Sequence, residues 1–230
     1  MKKIFVAGIC LGLFFLGRPG VARAAIANPS FESNVNEVPD SWTKSKSGSF
    51  GVDILQSSQL SSLTVTLPSD GDWLGRVYSG SGSEILAGEY GQWAQTVDLT
   101  NVSQITFDAE ILTLLQSPFG QVNTLHSFLE AQLLIDGTVL WSKQGAGGAF
   151  LDQVVNTSGF SGPSALALRL YAIADSNGEN LPRISSSWFM FDNLRETAGG
   201  QSGGGANVIP EPSSIFLFGV GIAGFLFRRK

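Results

Sequence analysis

The sequence predicts an all-β fold for residues 25–197, a single jelly-roll β-sandwich of about ten strands. Three observations predict it. Apolar and polar residues alternate with a period of two, clusters of Gly, Pro, Asn, Asp and Ser separate the alternating segments, and no segment there keeps a helical period. Because 43% of the 230 residues are hydrophobic and the chain has 16 Phe, it can form a core. The low charged fraction of 14% argues against a disordered polyelectrolyte or a coiled coil.

The predicted strands are short runs in which every second residue is apolar. The clearest of them lie at 63–67, 105–111, 128–135, 166–170 and 188–191. A strand with this alternation turns one face to a core and the other to water. Several such strands joined by turns favour two packed sheets.

Asp136-Gly137 marks the clearest hairpin. It stands between the apolar run 133–135 and the run 138–141. A two-residue hairpin turn needs positive φ at both central positions, which Asp and Gly tolerate. We therefore expect the two runs to pair as neighbouring antiparallel strands.

The first 24 residues have the order of a secretory signal peptide. Lys2 and Lys3 precede the apolar run 4–16, and Ala22 and Ala24 stand at the −3 and −1 positions of a cleavage site. We expect signal peptidase to cut after Ala24 and the rest of the chain to be exported. The alternative is an uncleaved membrane anchor, but the run is shorter than the roughly 20 residues that a span needs.

The C-terminal part of the chain divides into a linker and a short apolar segment. Residues 198–207 have the Gly/Ser-rich composition of a flexible linker. Pro210-Glu211-Pro212 then precedes the apolar run 215–227 and the terminal cluster Arg228-Arg229-Lys230. We expect a short transmembrane helix at about 213–227, a marginal anchor because its apolar run reaches only about 20 Å of the roughly 30 Å hydrocarbon core. The basic flank stays cytoplasmic, so the body lies outside.

A Pro-Glu-Pro motif, a short apolar helix and a terminal basic cluster, in this order, closely resemble the PEP-CTERM sorting signal of exported bacterial proteins. The resemblance covers residues 208–230. It implies an exosortase, a membrane protease-transferase that cuts near the Pro-Glu-Pro motif after a transient membrane stage and passes the body to the cell surface or an exopolysaccharide matrix. The alternative is a plain C-terminal membrane tail. The residues of the sorting motif are Pro210, Glu211, Pro212, Arg228, Arg229 and Lys230.

The two ends of the body resemble the galactose-binding-like jelly rolls of many carbohydrate-binding modules. Residues 26–32, Ile-Ala-Asn-Pro-Ser-Phe-Glu, followed by Trp42, are similar to the opening of that fold. Residues 187–194 are similar to its last strand. The resemblance implies that Glu32 and Asp192 help to hold a structural Ca²⁺.

Physical chemistry allows more than one role for this acidic pair. If the first and last strands lie side by side, Glu32 and Asp192 repel each other unless a cation or protons intervene, and hard oxygen ligands suit Ca²⁺. Otherwise the pair is solvated at the sheet edge, or Glu32 accepts backbone N–H bonds at the start of the fold. The sequence requires no other cofactor.

The charge of the body excludes some partners. The chain has 14 Lys and Arg against 19 Asp and Glu, a net charge of −5. Residues 25–207 alone contain 7 basic and 18 acidic side chains. Such an acidic body repels anionic polymers and lipids, and it lacks the cationic face that a nucleic acid needs. We expect no nucleic-acid partner.

Four aromatic residues are candidates for sugar binding. Trp73, Tyr78, Tyr90 and Trp93 lie in or near segments rich in Gly and Ser. If they are exposed on one concave sheet, their flat rings can stack on the sugars of an exopolysaccharide or another glycan. The alternative is that they belong to the core or to the interface of the sheets.

The sequence offers little for catalysis. His126 is the single histidine and the mature chain has no cysteine, so zinc sites of the His/Cys type are excluded and any Ser-His-Asp triad depends on His126. Asp70 with Asp72 is expected in a turn, and Asp108 with Glu110 on a solvated strand face. We predict an exported non-catalytic protein, structural or carbohydrate-interacting, and a small secreted glycan-active hydrolase is the alternative.

Overall fold

The computed structural model describes residues 26–35, 38–80, 84–115, 120–176 and 186–199. The predicted signal peptide, most of the linker, the sorting motif and the predicted transmembrane helix lie outside these residues. Within them, no helix is long and apolar enough to cross a membrane.

In this part of the chain there are thirteen strands and one 3-10 helix, and ten of the strands have four or more residues. The number agrees with the ten or so strands predicted. The elements are β1 Asn34–Val35, β2 Val38–Pro39, β3 Thr43–Lys46, β4 Phe50–Gln56, the 3-10 helix Ser57–Leu60, β5 Trp73–Ser79, β6 Tyr90–Asp98, β7 Val102–Leu114, β8 Gln121–Val122, β9 Leu129–Ile135, β10 Thr138–Gln144, β11 Gly148–Asn156, β12 Pro163–Ala172 and β13 Ser186–Ala198.

β1 and β2 form a separate two-stranded sheet, and the other strands form two antiparallel sheets that enclose one main core. The five-stranded sheet has the order β10-β9-β12-β6-β3, and the six-stranded sheet has the order β11-β7-β13-β5-β4 with β8 paired to β7. From β3 onward the chain passes repeatedly from one sheet to the other, as in a jelly roll. The predicted all-β jelly-roll sandwich is therefore confirmed.

The main core is aromatic and joins the beginning of the fold to its end. Phe31, ahead of the first strand, packs its ring 4.9 Å from Trp42 and 5.5 Å from Phe191 of β13. The backbone N–H of Leu194 also donates to the carbonyl of Pro29 at 3.3 Å. The two ends of the body therefore lie together, which meets the condition under which Glu32 and Asp192 come near each other.

The predicted hairpin at Asp136-Gly137 is confirmed. Asp136 has φ of 48° and Gly137 has φ of 78°, and the turn places Thr138 opposite Ile135 in the pair of β9 and β10.

Residues 57–72, called the strap below, cover part of the outer face of the six-stranded sheet. Leu60 and Leu67 of the strap pack on Leu112 of β7 and Met190 of β13 in a second, smaller apolar cluster. This face of the sheet is therefore partly closed to solvent.

The predicted strand at 63–67 is wrong, because this segment belongs to the strap and has no strand partner. Leu67 is buried, and Leu63 and Val65 are half-buried against the second cluster. An extended segment lying on an apolar surface alternates as a strand does, without the hydrogen bonds of a sheet.

Candidate functional site

The two acidic residues predicted to bind calcium both bind the strap or its end. Asp192 Oδ2 accepts the backbone N–H groups of residues 69 and 70 at 2.8 and 2.9 Å. Glu32 Oε1 accepts those of residues 72 and 73 at 2.8 and 2.7 Å. Glu32 thus has the hydrogen-bonding role that was the alternative to a cation, and the pair fixes the entry of the chain into β5.

Two further carboxylates hold the strap from beneath. Glu110 Oε2 accepts the N–H groups of Thr66 and Leu67 at 2.6 and 3.0 Å. Asp108 Oδ2 accepts the hydroxyl of Ser69 at 2.6 Å. Both acidic residues are buried, at 3% exposure, so the prediction that they are solvated is wrong. They point away from the main core, but the strap covers them.

Asp192 is fully buried, and one of its oxygens lacks a partner. Among the side-chain polar atoms buried in the described ranges, Asp192 Oδ1 is the only one with no hydrogen bond. Burial raises the pKa of Asp192 to about 6, although the backbone N–H groups of Asp70, Ser69 and Asn193 act in the opposite direction. An unpartnered carboxylate oxygen of this kind fits one ligand position of a hard cation.

The other ligands of such a cation are not gathered as acidic side chains. No group of three or more His, Cys, Asp or Glu side chains within the ranges given above is placed to hold a metal ion. Because Ca²⁺ takes about six to eight oxygens, backbone carbonyls and water would have to supply most of them. Calcium at Glu32 and Asp192 stays a prediction.

The four aromatic residues proposed for sugar binding do not share one surface. Trp93 is fully buried in the core, and its ring N–H donates to the carbonyl of Asp53 at 3.1 Å. Its predicted stacking role is wrong, because no face of the ring is free. Trp73 packs on the same core from β5. Tyr78 lies on the six-stranded sheet, whereas Tyr90 lies on β6 of the five-stranded sheet.

Tyr78 belongs to a stacked group on the outer face of the six-stranded sheet. The guanidinium carbon of Arg76 lies 4.5 Å from the ring centre of Tyr78 and 4.1 Å from that of Trp188. Arg76 also donates to both carboxylate oxygens of Asp53, at 2.8 and 2.5 Å. The side chains of this group satisfy one another's hydrogen bonds and aromatic contacts, which favours a structural role for the group.

Tyr90 is part of a different group, on the outer face of the five-stranded sheet. The register of β6, β12 and β9 places Tyr90, Tyr171 and Glu130 in one row across the sheet. Gln92, Arg169 and Gln132 form the adjacent row. Alternate residues of the same strands turn into the core. We call this group the polar face; its members are Tyr90, Gln92, Glu130, Gln132, Arg169 and Tyr171.

Hydrogen bonds fix the middle of the polar face. Arg169 donates from Nε and Nη2 to Gln132 Oε1 at 2.9 and 2.6 Å. The amide of Gln132 in turn donates to Glu130 Oε2 at 2.5 Å. The guanidinium carbon of Arg169 lies 4.7 Å from the ring centre of Tyr171, and burial lowers the pKa of Arg169. These planar groups are held in place before any ligand arrives.

Small side chains border the polar face. Ala167 of β12 is directly opposite Ala94 of β6, and both are half-buried. Ala167 and Ala94 are each two residues along the strand from Arg169 and Gln92, on the same outward side of the sheet. On its other side Ala167 is opposite Leu134 of β9, so an apolar row lies beside the polar face.

Of the polar face, only Tyr90 was predicted from the sequence to bind sugars, although other members also carried a signal. Glu130 and Gln132 are the polar members of the alternation in β9, and Arg169 and Tyr171 are those of β12. What no single segment shows is that β12 lies between β6 and β9, which brings these pairs beside Tyr90.

The sequence at the C-terminus matches a known sorting signal. Residues 208–230 match the family model of the PEP-CTERM protein-sorting motif. The match confirms the resemblance inferred from the Pro-Glu-Pro motif, the apolar run and the basic cluster, so the chain carries a PEP-CTERM sorting motif. A comparison with curated proteins finds no match.

Several solved structures are similar to the body at low sequence identity. A carbohydrate-binding module in complex with β-1,4-galactotriose is 13% identical, with a TM-score of 0.46 over 77% of this chain and 99% of that one. The K2 cleaved adhesin domain of Lys-gingipain is 17% identical, with a TM-score of 0.48 over 74% and 97%. The enzymatically active domain of a bacteriophage CBA120 tailspike protein is 12% identical, with a TM-score of 0.39 over 76% and 21%. Similarities of this size say nothing of what this chain binds.

Proposed function

We propose that this chain is an exported, non-catalytic glycan-binding protein that reaches the cell surface or the extracellular matrix. Signal peptidase removes its first 24 residues, and an exosortase processes its tail. The sorting motif at residues 208–230 supports the second step. The observation that carries the binding function is the polar face of the five-stranded sheet.

The chemistry of the polar face suits sugars. A sugar ring presents hydroxyl groups that both donate and accept hydrogen bonds, together with flat apolar faces of C–H groups. Gln92 and Arg169 offer amide and guanidinium groups, and Tyr90 and Tyr171 offer aromatic rings with a hydroxyl at the end. Gln132 is buried and orients Arg169. Because these side chains stand on three neighbouring strands, they are held more rigidly than loop residues.

The length of the polar face favours a polymer over a single sugar. Ser45, Gln92, Arg169, Gln132 and Ser142 occupy matching positions on all five strands. Four spacings of about 4.8 Å between neighbouring strands give a row of about 19 Å. A matrix polysaccharide lying along this row would contact the protein with several of its sugar units.

The acidic residues that were candidates for hydrolysis support a non-catalytic role. A glycosidase uses two carboxyl groups that face each other across the scissile bond. Asp108 and Glu110 are instead buried beneath the strap and bonded to it. Asp70 accepts the hydroxyl of Ser30 at 2.7 Å.

Calcium is proposed as a structural ion and not as part of the sugar site. The supporting observation is Asp192 Oδ1, buried without a partner on the six-stranded sheet. Glu32 is the second protein ligand proposed. An ion there would neutralise Asp192 and stabilise the junction of the strap with β13.

Two matched variants test the binding function. We expect Tyr171→Ala to weaken binding to exopolysaccharide from the native host about threefold to tenfold, the range for loss of one aromatic stacking contact. Tyr78→Ala removes the same side chain from the opposite sheet and should leave binding unchanged. Affinity electrophoresis of the full-length chain, kept soluble with detergent, measures both. Weaker binding by Tyr78→Ala with full binding by Tyr171→Ala would contradict the proposal.

A further inference from the structure

The polar face has balanced charges. On the outward positions of β6, β9 and β12 within the described ranges, the charged residues are Arg169, Glu130 and, at the end of β6, Asp98. Arg169 is linked to Glu130 through Gln132 by hydrogen bonds of 2.5 to 2.9 Å. The single cation of the face is therefore already matched by an anion two hydrogen bonds away.

The lysines of the five-stranded sheet do not add to this face. Lys44 and Lys46 on the edge strand β3 are opposite Trp93 and Gly91, whose positions face the core. Their side chains therefore leave the sheet on the side away from Arg169. At the other edge, Lys143 lies over the rings of Phe150 and Trp141 at 4.9 and 5.8 Å, and both rings pack on the core.

The remaining described arginines are paired on the other sheet. Arg76 is bonded to Asp53 at 2.5 Å, and Arg195 is bonded to Asp152 at 2.7 Å. The body as a whole has 18 acidic against 7 basic side chains between residues 25 and 207. An anionic polymer approaching the polar face thus meets a repulsive field and finds no cation in excess.

We propose, building on the proposed glycan-binding function, that the polar face selects uncharged polysaccharides and rejects those that carry carboxylate or sulfate groups. Neutral hydroxyl groups can bind Gln92 and the exposed part of Arg169 without disturbing the link from Arg169 through Gln132 to Glu130. An added carboxylate brings its own desolvation cost and gains no unmatched partner.

Matched polymers with the same backbone test the selection. The probes are hydroxyethyl cellulose against carboxymethyl cellulose, dextran against carboxymethyl dextran, and a galactan against its carboxymethyl derivative. The full-length chain in neutral detergent is titrated at about 10 mM ionic strength, where the Debye length is about 30 Å. In any pair that binds, we expect the neutral polymer to bind about fivefold tighter, or more, than its carboxymethyl derivative. This difference in affinity should shrink as salt is added.

The variant Glu130→Gln separates charge from shape. This substitution removes the anion of the polar face and keeps a side chain of similar size. The ratio of the affinities for the neutral and the carboxymethyl polymer should therefore fall by about twofold at low salt. A carboxymethyl polymer that binds as tightly as its neutral partner, or tighter, would overturn this inference and leave the binding function in place. Absence of binding to every neutral probe and to host exopolysaccharide would overturn both.

Discussion

Asp192 is expected to make the protein less stable as the pH rises from about 4 to about 7. Its pKa in the folded protein is about 6, against 3.8 for an ordinary Asp, so the folded state keeps a proton that the unfolded chain releases. The stability from this proton is fully present below pH 3.8 and is lost as the pH rises through about 6. A shift of about two pKa units corresponds to about 3 kcal/mol of unfolding free energy.

The substitution Asp192→Asn isolates this contribution. Its amide stays neutral at every pH and its oxygen can still accept the two strap N–H groups. We expect the unfolding free energy of the variant, relative to the unsubstituted protein, to rise by about 3 kcal/mol between pH 4 and pH 7. Urea unfolding followed by tryptophan fluorescence, with a chelator present, measures the difference at each pH.

The pKa of Asp108, another buried carboxylate, is shifted in the opposite direction. The quantity to follow is therefore the difference in unfolding free energy between Asp192→Asn and the unsubstituted protein. Hydrogen bonds from Ser69, Asp152 and Asn193 lower the pKa of Asp108, outweighing the opposing effect of burial. Its stabilisation is therefore present above its ordinary pKa and lost in acid, and it is common to both proteins. A difference that stays constant from pH 4 to pH 7 would refute the reasoning about Asp192.

Three further predictions concern the strap, the cation and the tail. Glu110→Ala leaves two strap N–H groups without their acceptor and should lower the unfolding free energy by about 3 kcal/mol, whereas Glu84→Ala, at an exposed position, should change it little in the same urea titration. Millimolar CaCl₂ should raise the melting temperature at pH 7.5 in the unsubstituted protein but not in Asp192→Asn, and equal shifts would count against calcium at this residue. Protein released by the native host should have an intact mass that begins near Ala25 and ends near Pro210; a membrane-bound species that keeps the basic C-terminus would contradict exosortase processing.

The fold could be predicted because burial in a sandwich follows the same period as the strand itself. The run 166–170 alternates in sequence and in burial since one face of its strand meets the core. The same logic failed at 63–67, because an extended strap on an apolar surface has the same pattern. Alternation reports which side chains are covered and does not report which backbone groups pair.

The binding surface was harder to predict, although alternation already contained part of the answer. Trp93 is three positions from Tyr90, and Trp73 is five positions from Tyr78. An odd spacing within one strand places two side chains on opposite faces, so neither pair can share a surface. Tyr171 is the partner that Tyr90 does have, and it comes from a strand some eighty residues later whose place beside β6 depends on the packing of the whole fold.

The strap explains why the five-stranded sheet is the better place for a binding surface. A sandwich has two outer faces, and in this chain the outer face of the six-stranded sheet is partly closed by the strap and by the stack of Arg76 with Tyr78 and Trp188. Four carboxylates accept the hydrogen bonds that the strap and its end donate where they cover that face. On the five-stranded sheet, Arg169 is held by the buried side chain of Gln132, and Arg169 with Tyr90, Gln92 and Tyr171 stays partly exposed, so polar side chains there are ordered without being fully covered.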